Sequence, residues 1–368
     1  MPSVWDRLGR KAELRSRAGL SRRPSPRRDL VDLASNDYLG LSAHSEVVDS
    51  AAAALREHGV GAGSSRAVRG TVGLHEELEE ELARLSGRSS CLVYSSGYMA
   101  NLGAVAALTP VRRGELRVLF DEHVHASLHD AARLAGAESI MVPHNDLNAF
   151  ASLLAEHRPP LVVVESVYSV LGDAAPLREL ESLCAEFEAL LLVDEAHAFG
   201  VRGAEGGGLA RGLSEETVVV SGTLSKAFAS AGGFLVGPSV LRRHLVDTSR
   251  PFLYDTAPPP SVAAGALAAL RISRSADDAR ERIRARIEAA AKRFGVAPSD
   301  GAILSVPAGE AAAAVEWQAR AAGRGIAVGC FRPPSTPDHV SRLRLTVNAS
   351  LPEAVFQEAL DVLEEVRP

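Results

Sequence analysis

Between residues 45 and 245 the chain alternates two arrangements of apolar and polar positions. The first has helical spacing. In His75-Glu-Glu-Leu-Glu-Glu-Glu-Leu-Ala-Arg-Leu, the residues Leu78, Leu82 and Leu85 recur about one turn apart, predicting a helix with its acids on the opposite face. The second is a set of short, unbroken apolar runs at 91–94, 117–120, 140–142, 161–164, 190–193, 218–220 and 234–236. Runs this short, separated by helices, predict strands buried on both faces of a mostly parallel sheet. Seven of them make a large, doubly wound α/β domain, expected over 45–257.

The segment 1–44 has a different character. It is rich in arginine, and Pro24 and Pro26 break any helix that begins near Trp5. At the other end Pro258-Pro-Pro260 marks a joint. Beyond it, 261–271 and 276–293 read as helices, 303–306, 326–328 and 343–347 as strands, and 352–366 as a final helix. A smaller α+β domain is therefore expected over 258–368.

Composition narrows the function classes. A chain of 368 residues with 46% hydrophobic and 23% charged content is long enough for two domains. A net charge of −6 argues against nucleic acid or an anionic membrane as the main partner. The basic run 15–28 is the exception, either a solvated arm or an anion-binding one. Cys91, Cys184 and Cys330 are too few and too scattered for a disulfide framework or a zinc site, so no metal is expected. With no apolar run long enough to span a bilayer and no apolar leader after Met1, a cytoplasmic protein is expected.

The candidate chemistry starts from a rarity. Of 40 basic residues only Lys11, Lys226 and Lys292 are lysine. Lys226 follows a strand-like run, Val218-Val-Val-Ser-Gly-Thr-Leu-Ser-Lys226, where arginine could not substitute if an amine must lose its proton and attack a carbonyl. In open α/β sheets ligands sit at the carboxyl ends of strands. There the chain places Asp121 to His125, Glu165 and Ser169, Asp194-Glu-Ala-His197, and Ser221, Thr223, Ser225 and Lys226. Tyr94-Ser-Ser-Gly97-Tyr-Met-Ala-Asn101 links a strand to an apolar helix, whose first amides and positive dipole end suit an anion.

A lone strand-end acid is more often a loop cap. Several strand ends converging on one lysine, one acid, a histidine pair and a phosphate-type turn fit pyridoxal 5′-phosphate (PLP). Competing motifs fail: Ser225 stands where a Walker loop needs glycine, Ser64 where a dinucleotide fingerprint needs its third glycine, and there is no Gly-x-Ser-x-Gly elbow.

Over about residues 5–365 the sequence resembles the α-oxoamine synthase family of fold-type I PLP enzymes. The motifs are Ala34-Ser-Asn-Asp-Tyr-Leu-Gly-Leu41, Gly59-Val-Gly-Ala-Gly-Ser-Ser-Arg66, Gly70-Thr71 with His75 to Glu79, Ser96 to Asn101, His125-Ala-Ser-Leu128, Val193 to His197 and Thr223-Leu-Ser-Lys226. Phe331-Arg-Pro-Pro-Ser-Thr-Pro337 and Ser341-Arg-Leu-Arg-Leu-Thr346 match the biotin-forming branch best. The resemblance implies a decarboxylative condensation of L-alanine with a pimeloyl thioester, on coenzyme A or a carrier protein, to 8-amino-7-oxononanoate. Other implied possibilities are a sibling synthase taking glycine or serine with another acyl-CoA, such as a 2-amino-3-ketobutyrate CoA ligase, or a PLP aminotransferase or lyase.

By position, Lys226 would carry the cofactor, Asp194 its ring nitrogen and His125 its ring face. His197 and Ser169 would meet the 3-hydroxyl side, and the Gly97 and Tyr98 amides with Thr223 the phosphate. Thr256 resembles a threonine that reaches the phosphate from the neighbouring subunit, implying a homodimer with shared sites. Asn36 and Arg344 would hold the amino-acid carboxylate, and Ser335 with Arg22 or Arg23 the acyl substrate. Two departures from the family pattern, Ala198-Phe199 and Val170-Leu171, are expected to flank the cofactor pocket.

Overall fold

The computed structural model describes residues 3–18, 20–22, 26, 29–109, 116–333, 335–336 and 338–368; Arg23 and Pro24 lie outside them. Among the described residues eleven strands form two sheets: β1 Val31–Leu33, β2 Ser90–Tyr94, β3 Arg117–Asp121, β4 Glu138–Val142, β5 Leu161–Glu165, β6 Leu190–Asp194, β7 Val218–Thr223, β8 Gly233–Gly237, β9 Ile303–Gly309, β10 Ile326–Phe331 and β11 Ser341–Thr346. All seven expected apolar runs lie in the larger sheet, in the order β2-β8-β7-β6-β5-β3-β4. It is parallel except at β8, which runs antiparallel to both β2 and β7. Every residue of β5, β7 and β8 is buried, as continuous apolar runs between helical layers require. At the sheet edge β4 departs from that expectation, with Met141 45% exposed.

The smaller sheet has the order β1-β10-β11-β9. Two expected segment boundaries do not coincide with these layers. β1, from the segment 1–44, pairs parallel with β10 and so belongs to the smaller sheet. The helix Pro260–Arg274, assigned by sequence to the smaller domain, packs on the helices Ser45–His58 and Gly73–Ser86. Ala263 to Leu270 of this helix are all buried, so it must be covered on more than one side. The helix Ala311–Gly323 was not anticipated; Trp317 anchors it, donating Nε1–H to the Leu363 carbonyl at 2.8 Å.

The helix near Trp5 runs Val4–Arg17, and helix Gly73–Ser86 buries Leu78, Leu82 and Leu85. Its acids do not all face water. Glu79 and Glu81 are buried, Glu79 because its Oε1 accepts from Arg66 at 2.8 Å and from the Val93 amide at 2.9 Å while Oε2 takes Arg242. A paired and hydrogen-bonded carboxylate can enter a core that an unpaired one cannot. Among the described residues no helix is long and apolar enough to cross a membrane, and no cluster of metal-ligating side chains occurs. All three cysteines are free.

Candidate active site

The carboxyl ends of β5, β6 and β7 open on a cavity of about 290 Å³. Eight of the predicted residues line it: Gly97, Tyr98, His125, Ser169, Asp194, His197, Thr223 and Lys226. Strand register brings the acids together, because Glu165 on β5 sits directly beside Asp194 on β6, and Asp194 beside Ser221 on β7.

The helix Gly97–Leu108 begins at the cavity, capped by Ser96, whose hydroxyl accepts from the Met99 amide at 3.1 Å. The Gly97 and Tyr98 amides keep no acceptor among the described residues, as expected for a first turn. A Cβ on Gly97 would press on Thr223 Cβ at 3.1 Å, and glycine is required at 233, where a Cβ would lie 2.4 Å from the Gly97 nitrogen. The Tyr98 side chain points elsewhere, its hydroxyl donating to Asp130 at 2.8 Å.

Asp194 Oδ1 accepts from the Ala196 amide at 2.9 Å and Oδ2 from Asn101 Nδ2 at 2.7 Å. Asn101 also reaches Ser127 Oγ at 2.9 Å, and Ser127 Oγ lies 2.8 Å from His125 Nδ1. His125, the N-cap of the helix Ala126–Ala135, is thus joined to Asp194 through two side chains that sequence reasoning left without a role. Asn101 stands one turn beyond Gly97 on the same helix face, a spacing that could have marked it.

Burial pushes the Lys226 amine down to about 8, against the opposing pull of Asp194 and Glu165 and with a smaller push from Arg344. Burial, with Asp194 beside it, raises Glu165 to about 8. Glu165, to which the sequence pattern gives a strand-end position but no role, accepts at Oε2 from the Ser169 amide at 2.8 Å. Burial and neighbouring cations hold His197 well below the usual histidine range, and it stays uncharged.

Arg344 lies behind Ser169, donating Nη1–H to the Ser169 carbonyl at 2.8 Å and Nη2–H to Asn36 Oδ1 at 3.1 Å. Its buried Nε has no hydrogen-bond partner among the described residues. Arg22 and Ser335 do not line this cavity; they meet each other, Arg22 Nη2–H donating to Ser335 Oγ at 3.0 Å. Thr256 is exposed and does not line this cavity; it bridges Ser65 at the surface. The two departures lie off the cavity lining. Phe199 turns into the core against Phe228 and Phe234, and the Val170 carbonyl accepts from Ser305. A large ring after His197 is accommodated by this aromatic cluster, and Phe199 is not among the residues that line the pocket.

A second network was invisible in the sequence. His144 bridges Asp121 (Nδ1 to Oδ1, 2.9 Å) and Asp173 (Nε2 to Oδ2, 2.8 Å), and its ring packs near-perpendicular to Tyr168 with centroids 4.5 Å apart. These two carboxylates outweigh its burial and raise it to about 9. The imidazolium joins the loop that carries His125 to the loop that carries Ser169.

These residues fit PLP: open amides at a helix start for a phosphate, a hydrogen-bonded carboxylate for a ring nitrogen, and a recessed amine of lowered pKa for an aldehyde. Residues 28–363 match the family model described as aminotransferase class I and II. An 8-amino-7-oxononanoate synthase of Mycolicibacterium gilvum is 46% identical over 380 residues, covering 99% of this chain and 97% of that protein. Its counterpart from Mycolicibacterium smegmatis is 46% identical over 346 residues, covering 91% and 89%. A serine palmitoyltransferase from S. paucimobilis with bound PLP–myriocin is 28% identical with a TM-score of 0.90, covering 99% of this chain and 98% of that one. The chain belongs to the aminotransferase class I and II family, among its 8-amino-7-oxononanoate synthases, and is a PLP-dependent acyltransferase.

Proposed function

We propose that the protein condenses L-alanine with a pimeloyl thioester, on coenzyme A or a carrier protein, releasing 8-amino-7-oxononanoate, carbon dioxide and free thiol. The observation that carries this reading is Lys226, an amine brought down to about 8 in a cavity whose wall it shares with Asp194. The name borne by relatives 46% identical over nearly the whole chain supports condensation over amino transfer. When bound, PLP supplies an aldehyde for the amine and an electron sink for the pair released at the amino-acid Cα.

The chain's own residues do the rest. Lys226 would hold the cofactor's aldehyde and would take the Cα proton and later return one; a pKa near working pH suits both directions. Asp194, held by Asn101 and the Ala196 amide, keeps a proton on the ring nitrogen. His125 would cover the ring face, the Gly97 and Tyr98 amides and Thr223 would take the phosphate, and Ser169 and His197 would meet the ring oxygen. Arg344 and Asn36 orient the alanine carboxylate, with Arg22 and Ser335 at the acyl end. Thr256, exposed on its own chain, serves a second copy in a homodimer with shared sites, working in the cytoplasm.

Purified protein loaded with PLP is given L-alanine and pimeloyl-CoA, with thiol release and product mass followed together. Thiol release matched by the keto-amine mass is expected. Turnover that needs a 2-oxo acid and no thioester, or a preference for glycine or serine with another acyl-CoA, refutes the reading.

A further inference from the structure

The Tyr38 hydroxyl lies 2.7 Å from Nδ1 of His197 and 3.3 Å from Oδ1 of Asn36, the oxygen that already accepts from Arg344 at 3.1 Å. Tyr38 is wholly buried and His197 is 5% exposed, so water does not compete for these groups. A neutral imidazole carries its single proton on one nitrogen, and the partner of the other nitrogen decides which. His197 is uncharged, and burial keeps the Tyr38 phenol protonated.

The hydroxyl has one proton to give. A separation of 2.7 Å is that of a well-formed bond from O–H, whereas 3.3 Å to an oxygen already supplied by Arg344 is long. The proton therefore goes to Nδ1, and the imidazole keeps its own at Nε2. His197 lines the cavity, so with Nδ1 committed to Tyr38 the remaining polar edge of the ring is the one available to a ligand.

We propose that Tyr38 is a positioning residue that fixes His197 as its Nε2–H tautomer, making it a donor to an anionic oxygen in the cavity. The identity of that oxygen, on the PLP ring, rests on the reading above; the tautomer does not.

Two-bond ¹⁵N–¹H spectra of ¹⁵N-histidine protein without cofactor test it, with the His197 signals assigned by their loss in His197→Gln. The Nε2–H pattern is expected in the wild type, and loss of that single pattern in Tyr38→Phe. PLP titrated into each protein and followed by its visible absorbance should bind about three- to tenfold more weakly to Tyr38→Phe, as for one lost hydrogen bond. A wild-type Nδ1–H pattern overturns the proposal, as does a Tyr38→Phe protein with unchanged tautomer and PLP affinity. If Tyr38→Phe does not fold, the wild-type spectrum decides alone. A protein that fails to make the keto-amine yet shows the Nε2–H pattern counts against the substrate reading and leaves this one standing.

Discussion

Replacing Lys226 by methionine should stabilise the cofactor-free protein, and by an amount that shrinks as pH rises. Methionine is close to lysine in length and carries no charge. In the folded chain the amine is brought down from 10.5 to about 8, chiefly by burial. A base whose folded pKa is depressed destabilises the fold: the cost is fully present below the folded value and is relieved as pH rises toward the unfolded one. From these two values the cost is about 3 kcal/mol at pH 7 and about 1.4 kcal/mol at pH 9.5. Any gain from methionine's own packing is independent of pH, so the difference between the two pH values isolates the titration. Urea unfolding of wild type and Lys226→Met, cofactor-free and at equal protein concentration, should show the variant's advantage falling by about half over this range. An advantage that stays constant with pH, or none at either, would mean the amine keeps an ordinary pKa in the fold. The case for Lys226 as a ready nucleophile would then fail.

Three further outcomes are expected. His144→Gln should destabilise the protein with the opposite pH dependence: raised from 6.5 to about 9, wild-type His144 contributes up to about 3 kcal/mol below pH 6.5. That contribution is lost as pH rises through about 9, and thermal unfolding at pH 6 and pH 9.5 reads the difference. Glu79→Ala strips a buried carboxylate from Arg66, Arg242 and the Val93 amide and should cost about 3–5 kcal/mol, measured by denaturant unfolding. Arg344→Ala should raise the KM for L-alanine by about tenfold to a hundredfold, the scale of a lost charge-assisted hydrogen bond; an unchanged KM in steady-state kinetics would remove Arg344 from the carboxylate site.

What the amino-acid order determined by itself is local. Seven apolar runs of strand length announce the large sheet, because a strand covered on both faces must be apolar at successive positions. Polar residues that immediately follow a run, such as Asp194 after 190–193, must then fall at its carboxyl end. The lone strand-end lysine and the turn before Gly97 were legible for the same reason, since each is a feature of a few neighbouring residues. The tertiary structure alone decided what depends on distant partners. Asn101 meets Asp194 and Tyr38 meets His197 across long stretches of chain, and β1 finds β10 from the opposite end of the sequence. The lateral register of β5 and β6 sets Glu165 beside Asp194, and three loops converge to close His144 between two aspartates. Such contacts leave no periodic trace, and burial shifts a pKa only after the chain has folded around the group. The acids on helix Gly73–Ser86 show the limit clearly: periodicity places Glu79 among solvent-facing neighbours, and only Arg66 and Arg242, brought in from elsewhere, make its burial tolerable.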